Sequence, residues 1–274
     1  MLNQIANIAG YRFVSITDRI KLRKKLKIEC DKLELKGSIL LGEEGINFFL
    51  AGDKYSIKQF INYINKDVRF KDIDIKLSYS NSQPFTRMLV RLKNEIIAMK
   101  KPEIIPEKFT GKRISPMELK KWYDEKREFI ILDTRNDYEI RIGLFEESTT
   151  LPISNFSEFP EAIKLLPDEM KSIPIVTYCT GGIRCEKASP YMLNEGFEEV
   201  YQLDGGILKY FEECGGDYWD GDCFVFDKRV ALNPNLEETN IVQCYSCREP
   251  LSVTEQKSSD YIPGEQCSYC VDSD

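Results

Sequence analysis

A cysteine and an arginine with four residues between them stand in the stretch Ile173-Pro-Ile-Val-Thr-Tyr-Cys179-Thr-Gly-Gly-Ile-Arg184-Cys-Glu. The apolar, β-branched run before Cys179 predicts a strand. The pattern after Arg184, with Ala188, Met192 and Leu193 as apolar positions, predicts a helix. The cysteine thus opens a tight loop and the arginine sits at the helix start. Two glycines let such a loop curl its backbone N–H groups inward, and the helix N-terminus adds partial positive charge there. A thiol in that place is expected to ionise below its ordinary range and to be nucleophilic at neutral pH. A lone cysteine after a buried strand is more often a packing residue; the loop chemistry argues against that here.

The 274 residues include no histidine. Every Cys–His or Ser–His mechanism is therefore excluded, as is every histidine metal ligand, a 2-His-1-carboxylate iron site among them. An activated thiolate must be made by dipoles, amides and cationic side chains. A second constellation lies in the tail, Cys244-Tyr-Ser-Cys247 and Cys267-Ser-Tyr-Cys270. Two CxxC pairs at this spacing match a tetrahedral zinc site, and four protein thiolates close it, so the reading is structural Zn2+ in a zinc-ribbon-like segment too small to fold alone. No flavin or haem motif is evident. No run of about eighteen apolar residues predicts a membrane span, and the first residues lack the charge and apolar core of a secretory leader. The expectation is a cytoplasmic protein with reduced cysteines.

The elements that must position these groups fall into three parts. Tyr11–Ile16 reads as a strand, Asp18–Leu33 as a helix with Leu22, Leu26 and Leu33 buried and Asp18 as cap, Ser38–Leu41 and Ile46–Leu50 as strands around the turn Gly42–Gly45. Ile57, Phe60, Ile61 and Ile64 mark a second helix and Ile73–Tyr79 a fourth strand. That order is βαββαβ, the ferredoxin-like arrangement, assigned to residues 1–100, with one more short strand around Met88 and with Phe48 and Phe49 read as core. Residues 101–114 read as a linker. In 115–216, Ser115-Pro-Met-Glu118 predicts a capping box, and alternating strands and helices predict an α/β domain with a parallel sheet. Its ligands are expected at the carboxyl ends of the strands, where Asp133 and Cys179 fall. Residues 217–274 form the cysteine-bearing C-terminal segment.

Charge divides the same way. Residues 1–113 hold 23 Lys and Arg against 13 Asp and Glu, a balance of +10, and the remainder carries −17, giving the net −7. A basic module suggests a polyanionic partner; Arg19, Lys24, Lys25 and Arg91 are candidate RNA contacts.

Two loop types join cysteine, amide cradle and arginine. Cysteine-dependent phosphatases space them Cys-x5-Arg; the spacing here is one shorter and matches the rhodanese loop, Cys-x-x-Gly-x-Arg. Asp133-Thr-Arg135 and Leu203-Asp-Gly-Gly206 also resemble rhodanese flanking signatures, which places Asp133 and Arg135 at the active-site wall. By that resemblance Cys179 is the reactive residue, the backbone of Thr180, Gly181, Gly182 and Ile183 with Arg184 stabilises charge on it, and a persulfide on Cys179 is the adduct such a loop holds. Cys185 either packs inward, the commoner outcome, or resolves an oxidised Cys179. More closely, Tyr178–Ala188, Gly42-Glu-Glu-Gly-Ile-Asn47, Gln202–Tyr210 and Gly221-Asp-Cys-Phe-Val-Phe-Asp227 resemble the rhodanese-domain tRNA uridine(34) hydroxylases, over nearly the whole chain. The resemblance implies an oxidoreductase that uses O2 to convert the wobble uridine of tRNA to 5-hydroxyuridine, with Cys179 essential and an electron donor the sequence does not name. The anticodon stem-loop would lie on the basic module. A sulfurtransferase working through a Cys179 persulfide, and a non-enzymatic RNA-binding adaptor, remain as alternatives.

Overall fold

The computed structural model describes residues 4–271. The first three and last three residues, assigned above to the basic module and the tail, lie outside the described residues. The first module comprises β1 (Ile5–Phe13), α1 (Arg19–Lys32), β2 (Lys36–Gly42), β3 (Gly45–Gly52), α2 (Lys54–Ile64), β4 (Ile75–Ser80) and β5 (Met88–Leu92). Its sheet has the order β4-β1-β3-β2-β5, antiparallel except that β5 runs parallel to β2. The ferredoxin-like arrangement is thus present and carries a fifth strand on one edge.

The first strand begins six residues earlier than the sequence pattern suggested. Ala, Asn and Gly have weak strand propensity, so Ile5–Gly10 gave little local signal. This strand is nevertheless central, and its small residues let it be covered on both sides; the Phe48 ring lies directly over Gly10. Ala6 and Ile8 face the helices together with Ile46, Phe48 and Leu50. On the opposite face Tyr11 pairs with Asn47 and Ala9 with Phe49, and that face turns toward the second domain. Two local readings need correction. Asp18 precedes α1 but its carboxylate takes Arg69 rather than capping the helix. The third deeply buried helix position is Cys30, with Leu33 only half-buried.

The segment read as a linker is packed. Ile104, with Met99 just before the segment, enters the second domain's core, and Lys112–Ile114 is a strand, β6, parallel to β10 (Val200–Leu203). Three residues carry no usable period; the neighbour's backbone decides them. The domain continues with α3 (Pro116–Asp124), β7 (Ile130–Asp133), α4 (Asp137–Ile140), β8 (Gly143–Phe145), α5 (Phe159–Ile163), β9 (Ile175–Tyr178), α6 (Cys185–Asn194), β10 and α7 (Gly206–Cys214). Its parallel sheet has the order β6-β10-β9-β7. Alternate strand residues serve two cores: Leu132 and Ile175 pack with Ala188 and Met192, Ile131 and Val176 with Ile207 and Trp122. Ser115 caps α3, but Glu118 bonds the Trp122 indole instead of returning to the cap, so only half the box forms.

Beyond α7 come β11 (Trp219–Gly221), β12 (Cys223–Phe224), β13 (Ala231–Leu232) and the hairpin β14 (Val242–Gln243) with β15 (Pro250–Leu251). This segment crosses back to the first module, where Arg229 Nη1 donates to Ser78 Oγ at 2.8 Å. Among the described residues no helix is long and apolar enough to cross a membrane.

Candidate active site

Cys179 stands at the carboxyl end of β9. Behind it the loop is set by α7: the N–H groups of Ile207 and Leu208 donate to the carbonyls of Cys179 and Thr180 at 3.0 and 3.1 Å. Those carbonyls therefore point toward a helix N-terminus, and the loop's amides are free to turn the other way. Gly182, at φ +94°, does so, its N–H reaching Cys179 Sγ at 3.1 Å. Gly206, at φ +68°, permits the close approach; a Cβ there would lie 2.4 Å from the Cys179 carbonyl oxygen.

Burial opposes ionisation of Cys179, yet its pKa is lowered to about 6. The Cys185 thiol beside it, the Arg184 charge and the amides of Arg184 and Gly182 outweigh the loss of water. The thiol is thus ionised at neutral pH without a histidine. Cys185 is pushed the other way, first by burial and then by the thiolate next to it, so it remains the protonated partner and packs inward. Arg184 is held by Glu139, Nη2 to Oε2 at 2.8 Å, with both side chains buried. The same Glu139 oxygen accepts the Asn136 N–H at 3.1 Å. Arg184 Nη1 has no hydrogen-bond partner among the described residues, and its guanidinium lies 5.6 Å from the centre of the Phe226 ring.

Above the loop is an open, largely apolar cavity. Cys179, Thr180, Gly181, Ile183 and Arg184 line one side, and β1, β3 and β4 of the basic module form the roof. Phe224–Arg229 of the tail closes a third side through Val225, Phe226, Asp227 and Arg229. Phe49, expected in the core, lines the cavity instead, with its ring 6.3 Å from that of Phe226; the next-door Phe48 is the core residue. The tyrosine of β1, Tyr11, reaches over the loop and donates to Glu186 at 3.1 Å.

Not every sequence candidate arrives here. Asp133 and Arg135 do not line the cavity. They form a fully buried ion pair at 2.6 Å, with Arg135 also bonded to the Gly143 carbonyl. Such a pair needs the core around it, and it fixes the β7–β8 connection under the site rather than its wall. Between them Thr134 donates to the Tyr178 carbonyl at 2.8 Å and so holds the strand end that presents Cys179. Sequence reasoning missed Glu139, Tyr11, Asn47 and Phe226. The last two lay inside stretches quoted for the family resemblance; Glu139 and Tyr11 carried no local signal.

Of the RNA candidates, Lys24, Lys25 and Arg91 are exposed. Arg19 is committed to Glu43 and to the Lys93 carbonyl, which weakens its claim. Arg23 ties α1 to β5 through the Val90 carbonyl.

The tail cysteines do come together. The four Sγ atoms lie within 4.8 Å of one another, with separations of 3.6 Å for Cys247–Cys267, 3.8 Å for Cys267–Cys270 and 3.9 Å for Cys244–Cys270. Thiolates at ~2.3 Å from one tetrahedral centre are about 3.8 Å apart, so the donor set fits a metal ion held by four sulfurs.

Residues 5–96 match the UPF0176 acylphosphatase like domain and residues 115–213 the rhodanese-like domain. The chain is 50% identical over 273 residues to the tRNA uridine(34) hydroxylase of Cupriavidus pinatubonensis, covering 98% of this chain and 97% of that one. It is 50% identical over 275 residues to that of Cupriavidus necator, covering 98% of each. With that of Ralstonia nicotianae the identity is 48% over 274 residues, covering 98% and 97%.

Proposed function

Since the chain belongs to the tRNA uridine(34) hydroxylase family, we propose that it hydroxylates the wobble uridine of tRNA to 5-hydroxyuridine at the cavity over Cys179. The observation that carries this reading is a cysteine with its pKa lowered to about 6, lining a cavity whose roof belongs to the basic module. The anticodon stem-loop lies on that module, with Lys24, Lys25 and Arg91 at its phosphates and Arg19 a weaker candidate, and the base turns out of its stack to enter the cavity. Cys179 is the reactive group. Arg184 and the loop amides hold negative charge on it or on its adduct. O2 is the cosubstrate: one oxygen atom goes to C5 of the base and the other leaves as water, with two electrons and two protons from a separate donor. The tail holds structural Zn2+ through Cys244, Cys247, Cys267 and Cys270. A tRNA substrate places the enzyme in the cytoplasm.

The test is mass spectrometry of tRNA nucleosides from cells in which Cys179→Ser replaces the wild-type chain, in a strain lacking any other route to 5-hydroxyuridine. The modification should vanish; undiminished 5-hydroxyuridine would sink the reading. The same thiolate and amide cradle also favour sulfane-sulfur transfer through a Cys179 persulfide. Thiosulfate-to-cyanide turnover at rates matching a dedicated sulfurtransferase, with no loss of 5-hydroxyuridine in the variant, would support that second reading.

A further inference from the structure

The hydroxylation reading leaves open how the cavity distinguishes uracil from other bases. Resting on that reading, we propose that the Asn47 carboxamide is the specificity-determining group, its Oδ1 accepting the N3–H of the uracil. Asn47 closes the Gly42-Glu-Glu-Gly-Ile-Asn47 stretch.

Position comes from the sheet. Asn47 on β3 is directly opposite Tyr11 on β1, and opposed residues hold their Cβ atoms about 4.5–5.5 Å apart on one face. Tyr11 in turn overhangs the cysteine loop: its hydroxyl bonds Glu186, and a Cβ on Gly182 would lie 3.0 Å from it. Asn47 is therefore a neighbour of the residue that touches the loop, and it lines the same cavity as Cys179.

Orientation comes from Ile96. Asn47 Nδ2 donates to the Ile96 carbonyl at 3.3 Å, which fixes which end of the amide is the oxygen. No described residue donates to Oδ1. The residue is only 7% exposed, and it lines the cavity. Oδ1 keeps contact with solvent, since it is not one of the buried side-chain atoms without a partner; a base that covers it without bringing a donor leaves it unpaired, at a cost of about 1–3 kcal/mol.

Uracil brings that donor at N3. Cytosine offers a lone pair at N3, which would face the lone pairs of Oδ1. A site built to receive a hydrogen bond rejects analogues lacking the donor more strongly than an apolar pocket rejects a change of size. Phe49 and Phe226 supply the apolar sides against which the base rests.

The experiment uses the full chain and RNA hairpins of the anticodon stem-loop bearing uridine, N3-methyluridine or cytidine at position 34, with affinity read by fluorescence anisotropy. Wild type should bind the uridine hairpin about ten- to a hundredfold more tightly than the other two, the range expected for one buried unpaired group. Asn47→Ala, checked for folding by its melting temperature, should bind all three within about threefold. Asn47→Leu, similar in volume and without an acceptor, should do the same should the alanine variant not fold. Equal wild-type affinity for uridine and N3-methyluridine overturns the proposal, as does an undiminished preference in either folded variant. The hydroxylation reading fails by a different result, absence of 5-hydroxyuridine made by the wild-type chain in cells.

Discussion

Cys179 shows how a thiolate is made in a protein without histidine. Burial alone would raise its pKa; one thiol, one guanidinium and two amides reverse the sign. The folded value, about 6, lies below the unfolded value of about 8.5. Ionisation therefore contributes to stability fully above the unfolded value, and the contribution is lost as pH falls through about 6. Thiolate absorbance, taken as the difference between wild type and Cys179→Ser across a pH titration, should show a midpoint near 6. In Arg184→Ala the midpoint should rise, because a positive charge beside the sulfur is removed; an unchanged midpoint would show that the amides and Cys185 suffice. The sequence announced this residue because its neighbours in the chain are also its chemical partners. It did not announce Glu139, which lies on α4 and meets Arg184 only once β7 and β9 pair in the sheet.

At the scale of elements, the loop depends on the start of α7. Gly206→Ala places a methyl against the Cys179 carbonyl and strains a left-handed residue, so a loss of about 1–3 kcal/mol is expected. Gly181→Ala meets nothing within 4 Å and should change stability by less than about 0.5 kcal/mol. Thermal melts of the two variants check this contrast, and equal losses would contradict it. α6 illustrates a related dependence. Pro190 cannot donate to the Glu186 carbonyl one turn back, and Thr110 Oγ1 fills that place at 3.1 Å, so the stretch read as a linker completes the active-site helix. The tail hairpin has a small core, Cys244, Leu251 and Cys267, and should rely on a metal ion held by its four cysteines. A strong chelator should release one equivalent of zinc and make residues 242–271 the first to be cut by a protease. Protease resistance there after complete metal loss would argue against a structural ion.

For the whole molecule, the decisive contact is Lys187. It is 1% exposed and bonds Glu44, Glu95 and the Ile97 carbonyl, at 2.7 to 3.0 Å. Glu44 also accepts the Ile96 N–H, and Glu95 that of Met99. One side chain from the active-site helix thereby fixes the turn that leads out of the basic module and keeps the roof over the cysteine. Lys187→Ala leaves two partly exposed carboxylates without their cation and should cost about 2–3 kcal/mol, below the range for a fully buried pair. A melting temperature within experimental error of wild type would refute this. Charge acts over the same span. Affinity for tRNA should fall steeply with salt, and Lys24→Glu with Lys25→Glu should flatten the plot of log affinity against log salt by about one per lost phosphate contact. An unchanged slope and affinity would remove α1 from the RNA surface.

The sequence by itself determined whatever is local: the strand–loop–helix around Cys179, the spacing of the four tail cysteines, the βαββαβ order of the first module, the strand–helix alternation of the second domain, and the charge imbalance between them. Those features follow from periodicity, turn chemistry and neighbours a few residues apart. The tertiary structure decided what depends on distant partners. It placed Asp133 and Arg135 in the core, because a buried ion pair is stable only when enclosed. It turned 112–114 into a strand by offering the edge of β10. It brought Tyr11, Asn47 and Phe49 from the first module and Phe226 from the tail to one cavity, because alternate residues of a strand face opposite ways and only docking of the second domain shows which face becomes the roof.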